Sequence, residues 1–139
     1  MVVAVASDLH IEFHADHGAT LAAEMDPSGV DVLVLAGDIA VGDGITDALD
    51  LFCRRFAKSD VVYVHGNHEH YGTPRDEVIR ATERARTNNA NLHVLDGSMA
   101  TIRGRRFVGG TLWLAHFFRG ATVDFGSGIK QRSRHPRWR

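Results

Sequence analysis

At 139 residues with 44% apolar side chains, the chain is long enough for one domain that buries about two-thirds of its unfolded surface. A single cysteine, Cys53, excludes an internal disulfide framework, and no stretch approaches the roughly eighteen apolar residues of a membrane span; with an N-terminus that lacks a basic leader, a reducing, cytoplasmic setting without membrane contact is expected. The net charge of −1 hides an asymmetry, since residues 1–100 carry 7 Lys+Arg against 16 Asp+Glu and residues 101–139 carry 9 against 1.

In chain order, Val2 to Ala6 is a short apolar run of the kind that forms a buried strand, and it breaks at Ser7-Asp8-Leu9-His10. Ala19 to Met25 predicts a short helix that Asp26-Pro27 stops. Val32 to Leu35 is a second strand, ending at Ala36-Gly37-Asp38. Thr46 to Lys58 spaces Leu49, Phe52, Cys53 and Phe56 by three and four residues, the apolar stripe of a crossover helix, so Cys53 reads as a core residue. Val61 to Val64 is the third strand and runs directly into the stretch HGNHEHYG. None of the three strands alternates, as befits strands covered on both faces.

Thr73-Pro74 predicts an N-cap and a first-turn proline, with Asp76 and Glu77 at the positive end of a helix running to about Thr87. Leu92 to Leu95, Met99 to Ile102 and Phe107 to Gly110 complete the pattern as a meander or hairpin, the last two joined by the basic turn RGRR. The fold class is therefore a layered α/β domain over residues 1–115, followed by a basic, poorly ordered tail over 116–139.

The chemistry gathers where strands end. Open parallel sheets hold their ligands at the carboxyl edge, and three strands deliver Asp8 and His10, Asp38, and Asn67 and His68 to that edge. Asp8 and His10 lie two apart, so an extended backbone would turn both to one side. Asp38 has two oxygens with which to bridge two cations, and Asn67 offers a neutral carbonyl oxygen. Gly37 and Gly66 precede these residues and leave room beside a metal.

Of the other histidines, His65 reads as structural, His93 as a strand residue, and His14 and His17 as candidates for lining the entrance. His70 and Tyr71 are candidates for bordering a pocket, and Glu69 for orienting the loop near His68. No strand is followed by a glycine-rich phosphate loop, which disfavours a nucleotide-binding α/β domain.

The order SDLH, LAGDI, HGNHEHYG, continuing to FVGGTLW, resembles the calcineurin-like metallophosphoesterase family over roughly residues 1–113. The resemblance implies an αββα sandwich with a two-metal centre at the strand ends. On matching positions it implies that Asp8 and His10 bind the first metal, Asp38 bridges both, and Asn67 binds the second, with manganese, iron or zinc as the ions. It further implies that His68 sits beside the scissile phosphate of a monoester or diester, stabilising charge or protonating the leaving group, while a metal-bound hydroxide attacks in line.

The family's later histidine ligands and its Gly-His-x-His motif have no counterpart here; after Trp113 the chain offers His116 and His135 only. The segment from Arg119 onward therefore reads as a truncated or frame-shifted end to an incomplete fold, or as a basic arm that attracts nucleic acid. The reading that competes with the enzyme is accordingly a catalytically inactive remnant that binds metal or nucleic acid. A sheet cut short leaves an open strand edge, through which dimerisation is expected.

Overall fold

β-branched runs suit a pleated, buried surface, and each apolar run becomes a strand. The computed structural model describes residues 1–111; the expectations for the basic tail, His116 and His135 lie outside the described residues. Strands β1 (Val3–Ala6), β2 (Val32–Ala36), β3 (Asp60–Val64) and β4 (Leu92–Val94) form one parallel sheet in that order. Helices α1 (Ala19–Glu24), α2 (Gly44–Arg55) and α3 (Arg75–Asn88) carry the chain back between successive strands, as parallel pairing requires.

The helices cover one face of the sheet, where Leu33, Leu35, Val61, Tyr63 and Leu92 meet residues such as Ala48, Phe52 and Val78. The predicted stripe of α2 is buried as expected, and burial pushes the Cys53 thiol up to about 12, so it behaves as an inert core group. Strands β5 (Ser98–Ile102) and β6 (Arg105–Gly109) form an antiparallel hairpin that is a sheet of its own. It packs on the opposite face, placing Ala100, Ile102 and Phe107 against Val32, Val62 and Leu95. Layered α/β architecture follows directly, with helices, a parallel sheet and a second small sheet.

Three local expectations change. Arg105 and Arg106 belong to β6, so the hairpin turn shrinks to Arg103-Gly104, both at positive φ (48° and 74°), the geometry that matches the twist of a two-residue hairpin. Thr73 does not cap α3: its hydroxyl donates to Tyr71 O at 3.5 Å, and Pro74 occupies the cap position. Among the described residues β1 is an edge strand paired with β2 alone, and Val3 and Val5 are exposed, Val5 at 68%, rather than covered on both faces.

The hairpin is tied down at the amino edge of the sheet. Arg103 donates to Asp60 Oδ2 (2.7 Å), Asp31 Oδ1 (3.0 Å) and Lys58 O (3.2 Å), and His93 Nε2 pairs with Asp60 Oδ1 at 2.9 Å. Burial alone would raise the Asp60 carboxyl, but Arg103 and His93 outweigh it and hold it below the usual range. The Val2 backbone N–H, with help from Arg103, does the same for Asp31. A carboxyl held low in the folded state stabilises the fold above its ordinary pKa and loses that contribution as pH falls through the depressed value. Urea unfolding across a pH series is therefore expected to show the midpoint falling below about pH 4, with a shallower fall for Arg103→Ala. Identical pH slopes for the two proteins would contradict the role assigned to this cluster.

Candidate metal centre

The carboxyl edge of the sheet is built by stitching three loops together. The loop after β1 hydrogen-bonds along the loop after β2 through Asp8 N to Gly37 O (3.1 Å), His10 N to Asp38 O (3.1 Å) and Ile11 N to Ile39 O (3.0 Å). The loop after β3 joins them where His68 N donates to Asp38 Oδ1 at 2.8 Å. A Cβ on Gly66 would collide with Asp38 Oδ1, and one on Gly37, which has φ 86°, would come within 2.8 Å of the Gly66 backbone. Both positions need glycine because the second and third loops cross at that point.

Glu69 fastens the crossing. It is completely buried, and its carboxylate accepts from Asp38 N (3.1 Å) and Gly66 N (2.9 Å) on one oxygen, and from Ile39 N (2.9 Å) and Tyr63 Oη (3.0 Å) on the other. Four donors replace the water that a buried carboxylate loses. Burial, reinforced by the adjacent Glu69, pushes the Tyr63 phenol well above its ordinary range, so it remains a donor. Glu69 is thus a loop organiser, as its position in the sequence suggested, although the loop it holds most firmly is the one after β2.

Asp8, His10 and Asp38 each bring a ligand atom within 4.8 Å of the others. Extended alternation does not bring this about. β1 ends at Ala6, and Asp8 (φ 55°), His10 (φ 45°) and Asp38 (φ 55°) are all left-handed, a conformation that Asp and His tolerate better than most residues. The cross-loop backbone bonds, rather than strand geometry, turn Asp8 and His10 toward Asp38. Asn67 gives its amide nitrogen to Tyr71 Oη at 2.8 Å, which leaves its carbonyl oxygen as the atom able to ligate.

His68 stands beside this group with its ring edge-on to that of His10, the centroids 4.3 Å apart. Its Nε2 meets Glu12 Oε1 at 2.6 Å, the short separation of a charge-assisted bond. Glu12 also lies 3.5 Å from His10 Nδ1. Sequence reasoning passed over Glu12, though a third polar residue at the Asp8, His10 spacing was a signal available to it.

The remaining candidates fall elsewhere. His65 is buried and its Nε2 lies 2.8 Å from Thr82 Oγ1; the Thr82 hydroxyl spends its proton on Val78 O, so His65 donates and is structural. Burial lowers its pKa, keeping the ring neutral. His70 lines a cavity of about 550 Å³ with His65, Arg75 and Asp96, and none of Asp8, His10, Asp38 and Asn67 borders that cavity. His17 is exposed, and lines a small cleft with Glu12 and Asp47.

The donor set suits a hard or borderline divalent cation, since it offers two carboxylates and an imidazole around one point. Among the described residues, His10 Nδ1 and the neighbouring Glu12 Oε2 are buried without a hydrogen-bond partner, as groups awaiting a ligand would be. Fold and site together define a class: a layered α/β protein with a candidate cation site at the carboxyl edge of its parallel sheet. A family model described as calcineurin-like phosphoesterase matches residues 1–125, and the chain belongs to that family.

A solved crystal structure is similar in fold, with a TM-score of 0.59 at 21% identity, covering 84% of this chain and 55% of that one. The chain therefore spans about half the length of that neighbour. No curated protein matches it. No helix among the described residues is long and apolar enough to cross a membrane.

Proposed function

We propose that this chain is a metal-dependent phosphoesterase that hydrolyses phosphomonoesters or phosphodiesters at the carboxyl edge of its parallel sheet. The observation that carries the reading is the convergence of Asp8, His10 and Asp38 within 4.8 Å, beside a His68 that is braced by Glu12. Asp8, His10 and Asp38 would hold one divalent ion, and Asp38 with the Asn67 carbonyl a second; manganese, iron and zinc all suit such mixed oxygen and nitrogen donors. Ions bound there supply Lewis acidity and lower the pKa of water to the neutral range.

The protein's own groups supply the rest. Hydrolysis joins the water oxygen to phosphorus, breaks the bond to the ester oxygen, and leaves that oxygen needing a proton. His68 would give it. Because Glu12 accepts from Nε2–H, Nδ1 is the nitrogen left to face the ester. The cross-loop bonds and Glu69 keep these groups in place before substrate arrives, so little reorganisation is needed as charge develops.

The test is metal binding itself. Titration of the chain with manganese, followed by the paramagnetic signal of the free ion, is expected to show saturable binding that Asp38→Asn weakens at least tenfold, while His68→Ala leaves it unchanged. Equal losses in both variants would refute this division between ligands and proton donor.

A further inference from the structure

Among the described residues, two of the large apolar side chains that stand exposed are aromatic, Phe13 at 77% and Tyr71 at 59%. Both lie against His68. Phe13 closes the turn that follows His10, with its ring centroid 6.0 Å from that of His10 and 6.1 Å from that of His68. Tyr71 follows the turn His68–His70, its ring 5.1 Å from His68, and the bond from Asn67 Nδ2 fixes its phenol. Two loops, from the ends of β1 and β3, thus independently bring an aromatic ring to one imidazole.

Neither ring belongs to either apolar core, so packing does not account for them. Of the other described aromatics, Phe52, Phe56 and Tyr63 are buried to 1% exposure or less, and Phe107 packs partly buried against the second core. Water-facing aromatic rings beside a charged, ligand-rich centre combine an apolar platform with a polar anchor, the usual constitution of a small-molecule site. A flat ring fits such a platform through its π face, whatever its hydrogen-bonding edge.

We propose that Phe13 and Tyr71 form a stacking platform for a planar aromatic group carried on the phosphate, so that the site prefers aryl or nucleoside esters to alkyl esters. This rests on the phosphoesterase reading above and narrows its substrate class. Tyr71 then serves two purposes: its hydroxyl orients Asn67, and its ring contributes to the platform.

The test is equilibrium binding to the manganese-supplied chain, by calorimetry, of phenylphosphonate against methylphosphonate and of the methylenephosphonate isostere of adenosine monophosphate against that of ribose phosphate. Non-reacting pairs remove the difference in leaving-group reactivity from the comparison. The ring-bearing member of each pair is expected to bind about tenfold more tightly. Phe13→Ala is expected to reduce that ratio several-fold while leaving the ringless anions unchanged. Tyr71→Ala is expected to reduce the ratio and also to weaken the ringless anions, because it releases Asn67, whereas Tyr71→Phe, which releases Asn67 alike but keeps the ring, is expected to preserve the ratio. A ratio larger for the nucleotide pair than for the phenyl pair identifies a nucleobase as the group received; the reverse identifies a simple aryl group. Ratios near one with all four anions bound would overturn the platform alone. Binding of none of them would remove the phosphoesterase reading and the platform with it.

Discussion

Replacing Glu69 by alanine is expected to cost the fold about 4 kcal/mol or more, because it strands four buried donors at once. Asp38 N, Ile39 N, Gly66 N and Tyr63 Oη all lose their acceptor, and none of the described hydrogen bonds offers them another. A domain of this size has a total stability of roughly 5–15 kcal/mol, so the variant stands near the edge of folding at room temperature. Tyr63→Phe removes one donor and leaves its acceptor oxygen still bonded to Ile39 N, so its expected cost is smaller, about 1–2 kcal/mol. Glu69→Gln should fall between them, since an amide NH₂ would meet backbone N–H groups where a carboxylate oxygen now accepts. Urea unfolding followed by circular dichroism orders the three. A Glu69→Ala midpoint as close to the parent as that of Tyr63→Phe would show that the carboxylate does not organise the loops.

The second large effect is on turnover. His68→Ala is expected to lower kcat by about 10²–10⁴-fold, the range for loss of a placed proton donor, with manganese affinity unchanged. The deficit should grow as the leaving group becomes a poorer one, because a good leaving group departs without the proton. Glu12→Gln keeps an acceptor within reach of His68 Nε2 but removes the charge. It should reproduce the same leaving-group dependence at a smaller loss, about tenfold. A Glu12→Gln variant that lost metal instead would make Glu12 a ligand and deprive His68 of its brace.

Much of this architecture was legible in the sequence because a parallel sheet buried on both faces writes itself as unbroken apolar runs. Val32 to Leu35 and Val61 to Val64 could hardly be anything else, and the abrupt polar breaks after them marked the edge where ligands gather. The grouping of Asp8, His10 and Asp38 was legible too, but for a different reason from the one geometry supplies. Extended alternation suggested it, whereas left-handed backbone and bonds between residues 28 or 29 positions apart produce it.

What the sequence concealed were relations at a distance. Glu69 has the appearance of any loop acid, and two of its four donors, Asp38 N and Ile39 N, cannot be assigned until β2 and β3 are laid side by side. Glu12 reaches His68 across 56 residues. The exposure of Val5 could not be foreseen either, since an apolar run does not tell an edge strand from a central one. Thr73 was the conventional cap, and lost that place to Pro74.

The measurement that bears most directly on the central claim is hydrolysis of an aryl phosphodiester by the purified 139-residue chain with and without manganese, beside its Asp38→Asn variant. The account predicts turnover that requires the metal and is abolished by the substitution. A folded chain that binds manganese at Asp38 but shows no turnover with it, or turnover that survives Asp38→Asn, would contradict it.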